Sequence, residues 1–168
     1  KGRVKGYSYD GISVFKGIPY AKSRRFHAPE EVDAWDGIFD ATSFGYVCPL
    51  LELGKPNGEL QVPHRYWVMN EDCQNLNVWT PSCDDKKRPV MVWFHGGGFE
   101  SGSAIEHIAY EGENMSRYGD VVVVTVNHRL NVLGYLDLSD FGEEYEDSGN
   151  HGTNDLMMSL RWVKENIA

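Results

Sequence analysis

The residues with the clearest chemical potential are His95, Gly96, Gly97, Gly98 and Phe99. Consecutive glycines reach backbone angles closed to other residues and leave their N–H groups uncovered by any Cβ. Bare N–H groups aimed into a pocket stabilise an anion that develops in a transition state, which is the work of an oxyanion hole. Such donors act only if something rigid holds them. Immediately before them, Val90-Met91-Val92-Trp93-Phe94 is an apolar run bounded by Pro89 and Gly96, the length of a strand buried on both faces. A run of glycines is equally compatible with a turn that has no chemistry. A rigid buried strand that delivers bare N–H groups suits the hole.

Other chemistries find less support. The three cysteines, Cys48, Cys73 and Cys83, lack the close pairing of a zinc ribbon or a redox C-x-x-C, the histidines are scattered, and no H-E-x-x-H occurs. Metal binding and a cofactor are therefore not expected. The odd cysteine count permits one disulfide with a free thiol, or three reduced thiols. Gly96-x-Gly98-x-x-Ser101 breaks the dinucleotide pattern G-x-G-x-x-G, and no P-loop lysine follows. A net charge of -9 argues against a nucleic-acid partner, because affinity for phosphate backbones comes from clustered Lys and Arg. Lys86-Lys87-Arg88, set between Asp84-Asp85 and Pro89, reads as a solvated turn. The longest apolar run, Val121 to Val126, is strand length and too short to cross a bilayer. A soluble protein is expected, with the cytoplasm favoured over secretion. The sequence starts at Lys1 without a signal-peptide pattern, so either a leader was removed or the sequence begins inside a longer chain.

The elements that must position the glycines read as one α/β unit. Asp10-Gly11 between apolar runs signals a hairpin at the amino terminus. Trp35-Asp36-Gly37 reads as a turn anchored by a buried indole, and residues 49–70, with Pro49, Gly54, Pro56, Gly58 and Pro63, as a long surface loop. Leu76, Val78 and Trp79 alternate with Asn75, Asn77 and Thr80 in a strand ending at Pro81. Asp84 to Arg88 is expected to turn the chain so that this strand and Val90–Phe94 pair antiparallel. Ile108 to Tyr118 is expected to form a helix closed by Gly119, followed by a fully buried strand over Val121–Val126. A strand, a helical crossover and another buried strand imply parallel pairing. Leu130 to Leu138 reads as an irregular apolar segment, and Glu143, Glu144, Glu146 and Asp147 as a solvated loop. From Thr153, Leu156, Leu160, Val163 and Ile167 form one helical stripe, widened by Met157, Met158 and Trp162.

In this order the motifs resemble the amino-terminal third of type-B carboxylesterases, the family of para-nitrobenzyl-type esterases and cholinesterases. The matching residues are distributed along the chain: Gly17-Ile18-Pro19-Tyr20-Ala21, Arg25-Phe26, Phe44-Gly45 with Cys48-Pro49, Glu71-Asp72-Cys73, Leu76-Asn77-Val78, His95 to Phe99, Asn127-His128-Arg129 and Gly149-Asn150 with Asp155. His-Gly-Gly-Gly supplies the oxyanion hole of lipases and esterases. The resemblance implies an α/β-hydrolase fold whose mostly parallel central sheet is preceded by an antiparallel hairpin. It also implies an oxyanion hole at Gly97 and Gly98, buried ion pairs Arg25 with Glu71 and Arg129 with Asp155, and, as in secreted members, a disulfide between Cys48 and Cys73. Losing one partner of a buried pair strands the other charge. Lys22-Ser23-Arg24 is shorter than the family's usual link, and Gln74-Asn75 replaces its usual Leu-Tyr; neither touches the chemistry.

No serine here has glycines two residues before and two after it, so the chain holds no G-x-S-x-G elbow. Residues 1–168 therefore read as the amino-terminal portion of one catalytic domain, ending before the nucleophile, acid and histidine. The 168 residues alone are expected to be inactive. The implied partner is a small-molecule ester. A non-catalytic, cholinesterase-like adhesion protein is the other class with this fold, but it would not need to keep the glycine motif.

Overall fold

The computed structural model describes residues 1–51 and 65–167; the loop expected over 49–70 lies partly outside them. The strands in chain order are β1 (Arg3–Lys5), β2 (Tyr7–Tyr9), β3 (Ile12–Pro19), β4 (Ala21–Lys22), β5 (Glu30–Glu31), β6 (Ile38–Asp40), β7 (Asn75–Thr80), β8 (Val90–Phe94) and β9 (Val122–Val126). The α-helices are α1 (Glu113–Gly119), α2 (Asn131–Tyr135) and α3 (His151–Asn166). β2, β3, β7, β9 and β8 form a five-stranded sheet in that spatial order, while β1 pairs with β6 and β4 with β5.

The hairpin is where the sequence places it. Asp10 and Gly11 both take positive φ, 46° and 81°, the backbone that joins two twisted antiparallel strands. β3 continues antiparallel onto β7, with an irregularity between Phe15 and Ile18 where Gly17 takes φ 67°. The Asn77 side chain accepts the Gly17 N–H there at 3.0 Å and donates to Thr125 Oγ1 at 3.1 Å. One buried amide thus satisfies the break in the ladder and the hydroxyl of the neighbouring strand.

The sheet departs from expectation at β8. β7 does not pair with β8; β9 lies between them, antiparallel to β7 and parallel to β8. The cause is the polar turn before β8. Arg88 bonds Asp84 at 3.0 Å and reaches Asp120 at 2.8 Å, directly before β9, and Val122 N–H donates to the Pro89 carbonyl at 2.9 Å. The start of β8 is thereby stapled to the start of β9, which dictates parallel pairing. β9 is buried along its whole length, whereas Val90 and Trp93 of β8 are exposed, so β8 is an edge strand among the described residues and not one buried on both faces.

Val122, Val124 and Val126 join Leu76, Val78 and Val163 in the main core, with Leu156, Met158 and Trp162 of α3 packed against it. Val123 faces the other way, with Trp79, Ile12 and Val14. The helices also differ in detail. α1 starts at Glu113 and not at Ile108, since Ile108–Tyr110 form only a single 3-10 turn that ends before it, and the left-handed residue after α1 is Asp120 and not Gly119. Residues 130–138 are not irregular throughout but contain α2. The buried side of α3 runs through Asp155, Ser159 and Val163; Leu160 and Met157, assigned to the core from their spacing, are exposed among the described residues. Trp35 is half-buried and donates to the Arg3 carbonyl at 3.0 Å. No helix among the described residues is long and apolar enough to cross a membrane.

Candidate active site

Parallel pairing brings the carboxyl ends of β8 and β9 to the same side of the sheet, where α/β proteins characteristically bind ligands. Phe94 is in register with Val126, so His95 and Asn127-His128 emerge side by side. Asn127 is buried and ties this end together. Its N–H and carbonyl bond Asn75 and the Tyr20 hydroxyl at 2.9 and 2.8 Å, and its side chain accepts the Ala104 N–H at 2.8 Å.

The glycine loop closes tightly on itself. Gly97 takes φ 123°, and its carbonyl accepts the N–H groups of Glu100 and Ser101 at 3.1 and 3.2 Å. A Cβ on Gly97 would stand 2.1 Å from the Ser101 carbonyl oxygen, while one on Gly98, at φ 64°, would meet nothing within 4 Å. Neither Gly97 nor Gly98 N–H has a hydrogen-bond acceptor among the described residues. Phe99 is itself left-handed at φ 61°, and its carbonyl accepts the Asn131 N–H at 2.7 Å. Gly102, at φ 97°, folds the end of the loop back where a Cβ would be 2.5 Å from the Gly96 carbonyl and 2.8 Å from His95 Nδ1.

Beneath the loop His95 and His128 stack, ring centroids 4.9 Å apart and planes 24° apart. His95 Nδ1 lies 2.8 Å from the Gly96 carbonyl and His128 Nδ1 2.9 Å from the Arg129 carbonyl. Carbonyls only accept, so each ring carries its proton on Nδ1. Burial holds His95 down to about 4, with His128 beside it adding to the effect, and burial likewise holds His128 down to about 4. Both rings are neutral at pH 7.

The two expected ion pairs differ. Arg129 and Asp155 are buried, with Nε and Nη2 donating at 2.9 and 2.7 Å and the Arg129 N–H at 3.0 Å. Arg25 does pair with Glu71, its Nε lying 2.8 and 2.9 Å from the carboxylate oxygens, but the Arg25 side chain is 62% exposed. Arg25 sits on a turn, and among the described residues the pair is not buried. Solvent screening removes most of the worth of such a pair. Arg25→Ala is expected to leave the thermal melting temperature of the full-length protein indistinguishable from the parent, and a clear drop would show that the pair is shielded after all.

Cys48 and Cys73 are buried neighbours, but they are free thiols and not the disulfide that the resemblance implies. Cys48 Sγ accepts the Leu130 N–H at 3.2 Å. Hydrogen bonding to Cys48, and then burial, push the Cys73 thiol well above its usual range. Cys83 is exposed. Beside Gly98 opens a cleft of about 480 Å³ whose walls include Phe99, Val132, Tyr135 and Leu136. Its apolar lining beside uncovered N–H groups suits an ester whose carbonyl must be polarised and whose flanking group is apolar.

Asn127, His128, Asn131 and Gly102 acquire roles only in three dimensions. Asn127 and His128 were marked in the sequence only as part of the matching Asn127-His128-Arg129 motif, and Gly102 only as a further glycine close behind Gly96 to Gly98.

The carboxylesterase family model matches residues 1–168, and the chain belongs to that family. It is 41% identical to the para-nitrobenzyl esterase of Bacillus subtilis over 99% of its own length and 34% of that protein's. It superposes on an esterase from anaerobic Clostridium hathewayi, one that can hydrolyse aliphatic aromatic polyesters, with a TM-score of 0.94 at 59% identity, covering 98% of this chain and 33% of that one. A Geobacillus stearothermophilus carboxylesterase gives 0.84 at 47% identity, covering 98% and 32%. These neighbours establish the α/β-hydrolase fold read from the sequence. The chain spans about a third of the length of the curated relatives it matches.

Proposed function

We propose that this chain is the amino-terminal portion of a soluble serine carboxylic-ester hydrolase and that it supplies the oxyanion hole. The observation that carries the reading is the loop after β8, where Gly97 and Gly98 leave two N–H groups without an acceptor among the described residues, beside an apolar cleft. In the reaction a serine from a later segment attacks the ester carbonyl, and a histidine takes the serine proton and returns it to the departing alkoxide. Water then releases the acid from the acyl-enzyme. Gly97 and Gly98, with the N–H following the serine, hold the negative oxygen of each tetrahedral intermediate. The cleft favours small esters with an apolar or aromatic group, in keeping with the polyester and para-nitrobenzyl ester chemistry named for the relatives. The full-length protein is expected to hydrolyse para-nitrophenyl butyrate and to lose that activity to an organophosphate that labels a single serine. No turnover of short-chain aryl esters by the folded protein would overturn the proposal.

A further inference from the structure

The loop after β8 aims its donors through the carbonyls that share their peptide planes. In a trans peptide the C=O and the following N–H lie in one plane and point in opposite directions. The bond from His95 Nδ1–H to the Gly96 carbonyl therefore sets where the Gly97 N–H points. The Gly97 carbonyl, held by the N–H groups of Glu100 and Ser101, sets the Gly98 N–H in the same way. The second pin is made within the loop, but the first depends on a side chain and is only as steady as the His95 ring.

That ring has little else to hold it. Its Nε2 is buried without a hydrogen-bond partner among the described residues, so no second bond fixes its far side. Gly102 packs against the Nδ1 edge, and the face rests on His128. His128 is itself well anchored, by its own bond to the Arg129 carbonyl and by the tie from Arg129 to Asp155 on α3. The same segment also grips the far end of the loop, through the Asn131 N–H on the Phe99 carbonyl. Neutral rings lie face to face without charge repulsion, which lets the stack persist at the pH where an esterase works.

We propose that His128 is a positioning residue for the oxyanion hole: stacked on His95, it steadies the imidazole that fixes the Gly96–Gly97 peptide plane and hence the aim of the Gly97 N–H. It touches no substrate and moves no proton. The proposal rests on the esterase reading above, and its test includes a readout that does not.

The test uses the full-length protein with His128→Phe, which keeps a flat ring, and with His128→Ala and His128→Leu, which do not. A donor displaced by a fraction of an ångström weakens transition-state binding while sparing the ground state, so kcat should fall at least about tenfold in the Ala and Leu variants, with KM for a small acetate ester within about twofold. The Phe variant should recover kcat to within about threefold of the parent. Backbone hydrogen exchange over residues 95–102 should accelerate in the Ala and Leu variants and not in the Phe variant. Unchanged exchange and kcat in the Ala and Leu variants would overturn the proposal. So would a parallel loss of kcat, KM and melting temperature in all three, or folding of the Phe variant alone, since the ring would then be a core filler. A parent with no esterase activity would sink the function proposed above, and the exchange measurement would still decide the role of His128.

Discussion

Gly97→Ala is expected to lower kcat of the full-length protein by about 100- to 1,000-fold, the scale of a lost oxyanion-hole donor, with a much smaller change in KM. The reason is steric. An added methyl would stand 2.1 Å from the Ser101 carbonyl oxygen and 2.7 Å from its carbon, both backbone atoms that cannot swing aside as a side chain would. At φ 123° the residue also occupies backbone space that L-amino acids avoid. Relief requires moving the turn that holds the Gly97 carbonyl, and that carbonyl lies in the peptide plane of the Gly98 N–H. Gly98 is different. Its Cβ would meet nothing within 4 Å, so Gly98→Ala carries only the left-handed penalty of about 1–2 kcal/mol, and its loss should stay below about tenfold. Of the two donors, only Gly97 has no room for a side chain. Steady-state kinetics on a short-chain ester, with circular dichroism to confirm folding, separates the two. If Gly97→Ala retained kcat to within about threefold of the parent, the loop would be a turn without a catalytic role.

The glycines, the hairpin and the buried β9 strand were legible because each depends on local chemistry. Asp10-Gly11 needs positive φ, Val122 to Val126 carries no polar side chain but that of Thr125, and three glycines expose their own N–H groups. What escaped was set by contacts across long stretches of chain. That β9 lies between β7 and β8 follows from Arg88 reaching Asp120, 32 residues on, and an apolar period does not encode that distance. The apolar stripe of α3 misled for a related reason. Asp155 and Ser159 break the hydrophobic pattern yet lie on the buried side, because Asp155 is there to meet Arg129. The exposure of Arg25 was equally invisible. A matching motif tells which residues pair and leaves open what covers them. His128 was marked only as a member of the Asn127-His128-Arg129 motif, which gives no hint of a role that exists only once parallel pairing sets it beside His95.

Asp155→Ala is expected to destabilise the full-length protein by roughly 3–5 kcal/mol, the cost of stranding a buried partner charge. The Asp155 side chain is fully buried and that of Arg129 is 2% exposed, so water cannot solvate the guanidinium once the carboxylate is gone. The bond from Arg129 Nη1 to the His27 carbonyl, 2.7 Å, would remain, but it supplies no countercharge. Replacing both residues with apolar ones, Arg129→Met with Asp155→Leu, removes the stranded charge, and the pair of changes should destabilise less than Asp155→Ala alone. Urea denaturation of Asp155→Ala, Arg129→Met, Asp155→Leu and the double variant measures that coupling. A double variant no more stable than Asp155→Ala would mean that packing, and not charge, is what the pair supplies. Turnover should not recover with stability. Asp155 also accepts the backbone N–H of Arg129, the residue directly after His128, at 3.0 Å. An apolar side chain at 155 cannot replace that bond, so the segment supporting His95 would stay loose, and kcat of the double variant should remain below the parent even where its melting temperature approaches it.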